Sequence, residues 1–245
     1  MTLPTATFSS MTSGRTGDLG RGFGVDVTTV RIGDLDYRVR TLRDRQQFSD
    51  PDGEAERAGI SSASWPLFGL IWPAGLVLAE RMSRFADADL AGKRILEVGC
   101  GLGLASLVLK RRRHDITASD YHPLAGEFLQ HNAELNQLPA IAFKNAPWAG
   151  PNPDLGRFDL IIGSDLLYER DNPALLAGFL ACHARPEAQI IVSDPGRSHC
   201  GRFSTQMAAQ GYVRSTPWPA FASGGPAPGT SSLRGRIMRF IRGLG

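Results

Sequence analysis

The chain predicts an α/β fold, a mostly parallel sheet of seven strands with helices on both faces and a β-hairpin ahead of it. Three features of the sequence predict this. From residue 94 onward, short apolar runs alternate with helical-period segments, the pattern left by parallel strands joined through crossover helices. The run Arg94-Ile-Leu-Glu-Val98 alternates too little to be half-exposed, as expected for a strand covered on both faces, and Gly99, Gly101 and Gly103 interrupt it ahead of a helix. Upstream, Val27–Ile32 and Leu35–Leu42 alternate in polarity across Gly33-Asp34, which reads as a hairpin.

Residues 1–24 are rich in Ser, Thr and Gly without periodicity, so a disordered tail is expected there. Residues 25–64 hold the hairpin and then a polar stretch with Asp50-Pro-Asp-Gly53, expected to be loop with a short helical piece. Residues 65–245 are assigned to one domain, since a chain of this length has room for one well-buried α/β unit. The segment from Ser64 to Gly75, at the start of this domain, gathers two tryptophans and two prolines ahead of an amphipathic helix over 76–85, with Pro73 near the start. Trp65 is expected in the core, whereas Trp72 stands at the helix start, ahead of the glycine loop.

The glycine loop opens a helix from Leu104 to about Arg113, and its positive end points back at the loop. Lys110-Arg-Arg-Arg-His114 closes that helix and is read as a solvated end that complements the dipole. A strand ending at Asp120 follows, then a helix over 123–135 and strands over 140–144 and 158–163. After these come a helix over 172–184, a strand over 188–193, a helix over 199–210, and strand pieces at 212–216 and 236–241. Asp194-Pro-Gly-Arg197 reads as a tight turn, and 217–232 as a Pro/Gly/Ser loop that could act as a lid. Right-handed crossovers put the loops after Val98, Asp120, Lys144 and Gly163 on one edge, where the site is expected.

A net charge of +3 is small and scattered, which gives little sign of a nucleic-acid track. Three widely spaced cysteines without a Cys-x-x-Cys pair fit reduced thiols, and the five histidines do not fall at metal-ligand spacings with them. No run of eighteen apolar residues and no leader-like apolar core is present, so a cytoplasmic protein is expected, without a membrane partner and as a monomer.

The spacing of the glycines narrows the ligand. A dinucleotide loop wants Gly-x-Gly-x-x-Gly, but the third position falls on Leu104 counted from Gly99 and on Ser106 counted from Gly101. The stretch instead resembles motif I of the class I S-adenosylmethionine (SAM) methyltransferases, with Glu97 at the strand end, the three glycines in the loop and Asp120 closing the next strand. A cationic sulfonium ligand suits a loop rimmed by a carboxylate, and Asp120, 23 residues after Glu97, is placed to accept both ribose hydroxyls. The resemblance implies a Rossmann-like class I methyltransferase fold.

The loop after the fourth strand reads Gly163-Ser-Asp-Leu-Leu-Tyr-Glu169. It lacks the Pro-Pro of adenine N-methyltransferases, and the chain lacks the Pro-Cys of cytosine C5 enzymes. Asp165 and Tyr168 match the Asp-x-x-Tyr motif of the seven-strand protein-lysine methyltransferases. The similarity runs from about Val27 to Arg197 and takes in Leu70-Ile-Trp-Pro-Ala-Gly75, Ile95 to Leu104, Asn132-Ala-Glu-Leu-Asn136 and Trp148. Pro147 departs from the acidic residue that family members usually place before that tryptophan. The resemblance implies that Asp165 and Tyr168 are catalytic and face an incoming lysine amine of a protein substrate. It implies a SAM site made by Trp72, Glu97, Gly99, Gly101, Gly103, Asp120, Tyr121, Trp148 and Ser164, with no metal. A small-molecule N- or O-methyltransferase is the alternative, with an RNA methyltransferase behind it.

Overall fold

A computed structural model describes residues 22–215 and 236–242. The tail expected over 1–24 lies outside the described residues up to residue 21, as do the loop expected over 217–232 and the last residue of the strand expected over 212–216.

Strands β1 (Val25–Ile32) and β2 (Leu35–Leu42) form the expected hairpin, in register from Val25 opposite Leu42 to Ile32 opposite Leu35. Helix α1 (Glu54–Arg57) and a 3-10 turn (Trp65–Gly69) lead into α2 (Pro73–Ser83) and the one-turn α3 (Asp87–Leu90). Helix α2 starts three residues earlier than its periodicity suggests, because Pro73 presets the helical φ and has no amide hydrogen to leave unpaired. The main sheet comprises β3 (Arg94–Val98), β4 (Asp115–Asp120), β5 (Ala142–Asn145), β6 (Phe158–Ser164), β7 (Ala184–Asp194), β8 (Tyr212–Ser215) and β9 (Arg236–Arg242). Between these strands run α4 (Leu104–Arg111), α5 (Ala125–Leu135), α6 (Asn172–His183) and α7 (His199–Ala209).

The strand order is β5-β4-β3-β6-β7-β9-β8, with the first five parallel and β9 antiparallel to both its neighbours. From β3 the chain winds outward through β4 and β5, then crosses back to β6, so the order reverses between β3 and β6. In the sheet the largest departure from the sequence reading is at β7, which begins directly at the end of α6. Ala184 pairs with Phe158, and an irregularity then shifts the register to Leu160 opposite Gln189.

The central strands β3, β6 and β7 are buried on both faces over their carboxyl-terminal halves, and neighbours along each one serve different cores. Ile95, Leu160, Ile162 and Ile191 pack on the side of α4 and α5, whereas Leu96, Val98, Ile161 and Val192 pack on the side of α6 and α7. Each such side chain contributes roughly 1.5 to 3 kcal/mol relative to exposure. Trp65 is in the core as expected, 1% exposed, edge-on to Phe23 and Phe68.

Two asparagines one turn apart, Asn132 on α5 and Asn136 at its C-cap, dock the hairpin. Asn132 accepts from the Arg40 amide at 2.6 Å, and Asn136 accepts from the Arg38 amide at 3.0 Å while donating to the Arg38 carbonyl at 2.7 Å. They satisfy backbone groups on the free edge of β2 as another strand would. Asn132 also donates to the Leu102 carbonyl at 3.2 Å, which ties the hairpin to the glycine loop.

The basic run closing α4 is not simply a solvated end. Arg112 donates to the carbonyls of Met82 and Phe85 at the end of α2 and pairs with Asp87, while Arg111 lies 4.5 Å over the Tyr37 ring. Periodicity cannot show this, because the orphan carbonyls belong to a different helix.

Candidate active site

The loops at the carboxyl ends of β3 to β7 open on one cavity of about 600 Å³ beside the point where the strand order reverses. Every residue expected in the site lines it: Trp72, Glu97, Gly99, Gly101, Gly103, Asp120, Tyr121, Trp148, Ser164, Asp165 and Tyr168. Sequence reading did not anticipate the wall contributed by Ala58, Gly59, Ser61 and Ser64, nor His122, whereas Arg197 reaches the cavity from the turn expected at 194–197.

Gly99, Gly101 and Gly103 all have left-handed backbone, with φ of 58°, 52° and 73°. A side chain at any of them would strike protein. A Cβ at Gly99 would meet Leu166 at 2.6 Å, at Gly101 the Phe68 carbonyl at 2.8 Å, and at Gly103 Leu129 at 2.3 Å. The leucine methyl groups could yield, but the Phe68 carbonyl at Gly101 and the left-handed backbone at all three positions make glycine a requirement of the loop itself. The 3-10 turn carrying Phe68 therefore sits directly over the glycine loop.

Glu97 secures the helix behind that loop. Gly103 at the N-cap of α4 has no side chain, and Glu97 accepts from the Ser106 amide at 2.9 Å and from the Ser106 hydroxyl. Burial pushes its carboxyl up to about 7, helped by the neighbouring Asp120 charge and opposed by the Ser106 bonds. Burial also holds the Cys100 thiol well above its ordinary range, which removes it as a thiolate nucleophile.

Asp120 is 6% exposed, and its two oxygens accept one backbone amide each, from His122 and from Gly101, both at 2.9 Å. Each oxygen keeps a further lone pair for a ligand. Burial raises this carboxyl as well, and the two amides pull it back. Beside it, His122 stacks on Phe68 at 3.8 Å, and its Nδ1 accepts from the Leu124 amide at 3.2 Å. Its Nε2 is buried without a partner, and burial drives the imidazole down to about 3. The native state therefore holds His122 neutral, while the unfolded chain takes up a proton below its ordinary value near ~6.5. That contribution to stability is present above this value and is lost as pH falls. Moving from about pH 7 to about pH 5 is expected to cost the parent about 2 kcal/mol more than it costs His122→Phe. Urea unfolding at both pH values reads the difference, and equal losses would mean that the histidine is protonated inside the fold.

On the other wall, Asp165 follows β6 with φ of 59°, and its amide donates to the Ser193 carbonyl at 2.8 Å, prolonging the pairing with β7. Aspartate is among the few residues that tolerate this backbone, and such strain outside glycine gathers at functional sites. Its carboxylate is bonded to the Arg197 guanidinium. The turn expected at Asp194-Pro-Gly-Arg197 is present, with Asp194 Oδ1 accepting the amides of Gly196 and Arg197 at 2.7 Å. That turn also sends Arg197 across to Asp165, a contact 32 residues away in sequence. Tyr168 is about a third exposed, and burial together with the facing Tyr121 hydroxyl pushes its phenol well above the ordinary range. It stays protonated at any physiological pH.

Trp72 donates Nε1–H to the Leu67 carbonyl at 2.9 Å, and its ring lies under Arg45. Trp148 packs on the core beneath β6 and comes close to Gly99. Ser164 faces the first turn of α2 at Gly75. Among the described residues no group of three or more His, Cys, Asp or Glu side chains could hold a metal, and no helix is long and apolar enough to cross a membrane.

A parallel sheet in this strand order, finished by an antiparallel pair and carrying a glycine loop and a strand-end aspartate, has the class I methyltransferase architecture. The fold matches the 16S rRNA N2 G1207 methyltransferase RsmC of T. thermophilus with a TM-score of 0.59 at 16% identity, over 89% of this chain and 50% of that one. The chain belongs to the lysine methyltransferase family, whose model matches residues 64–206. It is 31% identical to the electron transfer flavoprotein beta subunit lysine methyltransferase of Rattus norvegicus over 155 residues, 62% of this chain and 59% of that protein. It is 36% identical to the protein N-lysine methyltransferase METTL21A of Danio rerio over 126 residues, 47% and 56% of the two. The chain thus spans less than two thirds of either relative's length.

Proposed function

We propose that the protein transfers a methyl group from SAM to the side-chain amine of a lysine in a protein substrate, with residues 65–245 as the catalytic domain and 25–64 as an accessory unit. The observation that carries this reading is one cavity with a cofactor-type end, at the glycine loop and Asp120, and a carboxylate end at Asp165 beside Tyr168. Family membership supports the acceptor class.

The residues at the first end fit the cofactor. The free lone pairs of Asp120 suit the two ribose hydroxyls, while Tyr121 and Trp148 offer aromatic surface to the base. The buried carboxyls of Glu97 and Asp120 favour a ligand with cationic groups, since such a ligand offsets the burial that raises their pKa values. Trp72 closes the cavity from the side of α2. When bound, SAM supplies an electrophilic methyl carbon, so the protein's task is alignment.

Asp165 holds the amine by a charge-assisted hydrogen bond, and Tyr168, as a neutral phenol, fixes its direction. The amine must shed a proton before it attacks, because an ammonium has no lone pair. Tyr168 cannot take that proton as a phenolate, since its own proton is held too tightly. The proton leaves to solvent at the exposed mouth.

The test is transfer of radiolabelled methyl from SAM into a lysate of the source cells, with samples then treated separately with protease and nuclease. Label that protease releases and nuclease leaves intact is the expected result. Label lost to nuclease, or carried by a small metabolite, would overturn the lysine reading.

A further inference from the structure

Arg197 occupies the carboxylate that the proposed acceptor needs. Its guanidinium donates to Asp165 Oδ1, and the same nitrogen lies 3.7 Å from Asp194 Oδ2. Asp194 is fully buried. Its Oδ1 is well served, by the Gly196 and Arg197 amides and by the Cys200 thiol at 3.1 Å, but its Oδ2 has no hydrogen-bond partner. A buried carboxylate oxygen without a donor is costly. One cation thus stands between two carboxylates and bonds only one of them. It also has room to move, since its side chain is 31% exposed whereas that of Asp165 is 10% exposed. The residue before it, Gly196, has φ of 100° in a turn that glycine can readjust.

A substrate ammonium and the Arg197 guanidinium compete for the same Asp165 carboxylate, and two cations crowded on one half-buried anion repel each other. We propose that Arg197 is a displaceable counter-ion: it holds Asp165 while the acceptor site is empty and shifts onto Asp194 Oδ2 when the substrate amine arrives. This inference rests on the lysine reading above and adds to it a positioning residue with two stations. In the free protein Arg197 keeps Asp165 from standing buried as a lone anion, which would otherwise draw a proton and weaken its grip on a cation. With substrate present, the unsatisfied oxygen of Asp194 gives the guanidinium somewhere to go, so the buried pairing lost at one carboxylate is regained at the other. The arrangement also selects: a neutral group cannot displace the guanidinium, whereas an ammonium can.

The test uses calorimetric titration of the full chain with two probes. One is S-adenosylhomocysteine. The other is the same molecule with its sulfur replaced by a nitrogen bearing a 2-(butylamino)ethyl arm, which puts a protonated amine where the substrate nitrogen would lie. Arg197→Gln is expected to bind the arm-bearing probe about tenfold tighter than the parent does, since the competitor is gone, with S-adenosylhomocysteine affinity unchanged. Arg197→Lys should return the arm-bearing probe to the parent value. Asp194→Asn, which removes the second station, should weaken that probe about tenfold. A merely structural arginine predicts the opposite sign, a loss in Arg197→Gln.

If Arg197→Gln binds the arm-bearing probe no tighter while Asp165→Asn binds it more weakly, the displacement fails and the amine site stands. If the arm adds no affinity over S-adenosylhomocysteine in the parent and Asp165→Asn does not differ from it, the amine site itself fails. Should Arg197→Gln lose S-adenosylhomocysteine as well, Asp194→Asn decides, and unchanged affinity for the arm-bearing probe there overturns the two-station arrangement.

Discussion

Asp165→Asn is expected to slow methyl transfer on the order of a hundredfold at saturating SAM, with SAM affinity held within about twofold. Asparagine tolerates the left-handed backbone that Asp165 adopts, and the amide bond to Ser193 is independent of the side chain. What the variant loses is the negative charge, and with it the charge-assisted bond that places the amine. The parent rate should also climb through the alkaline range, as the neutral fraction of a lysine with reference pKa near ~10.4 grows. Single-turnover measurements on the protein band labelled from lysate, followed by digestion and mass spectrometry of the product, read both effects. Full activity in Asp165→Asn, or a rate on a carboxylate acceptor that ignores pH, would remove Asp165 from the mechanism.

Asp120→Ala is expected to weaken SAM binding by about 1.5 to 3 kcal/mol, the scale for hydrogen bonds to a charged acceptor. It should also lower the melting temperature of the free protein, because the amides of Gly101 and His122 lose their partner inside the fold. The two effects are separable by titrating SAM well below the melting transition. A variant that melts lower yet binds SAM as the parent does would confine Asp120 to holding the loop. Gly101→Val is a poor probe of the same end of the cavity. Its first new atom would press on the Phe68 carbonyl from a left-handed backbone, so lost binding would not separate ligand contact from a disturbed loop.

Much of the fold was legible because its signals are local. The short run Ile95-Leu-Glu-Val98 between Arg94 and Gly99 marks β3, and the alternation from Val27 to Leu42 marks the hairpin. The site edge followed from the handedness of crossovers and from knowing which loops follow which strands. Two larger boundaries moved, at Pro73, whose ring starts the helix ahead of its apolar periodicity, and at Ala184, where α6 runs directly into β7 with no punctuating turn.

By itself the sequence determined the strand, glycine loop and helix at 94–111, the closing Asp120, and the presence of Asp165 and Tyr168 after a central strand. These depend on residue type and spacing within one segment, where backbone sterics and side-chain period act directly. Tertiary structure alone decided the rest. It decided that the missing Cβ atoms face Phe68, Leu129 and Leu166, that Glu97 caps α4, that Asn132 joins hairpin to loop, and that Arg197 reaches Asp165. Each joins groups that only the packing of the finished sheet brings together. No periodicity records which distant side chain will arrive at a buried carboxylate, because that choice is made by strand order and by the cost of leaving a charge unpaired.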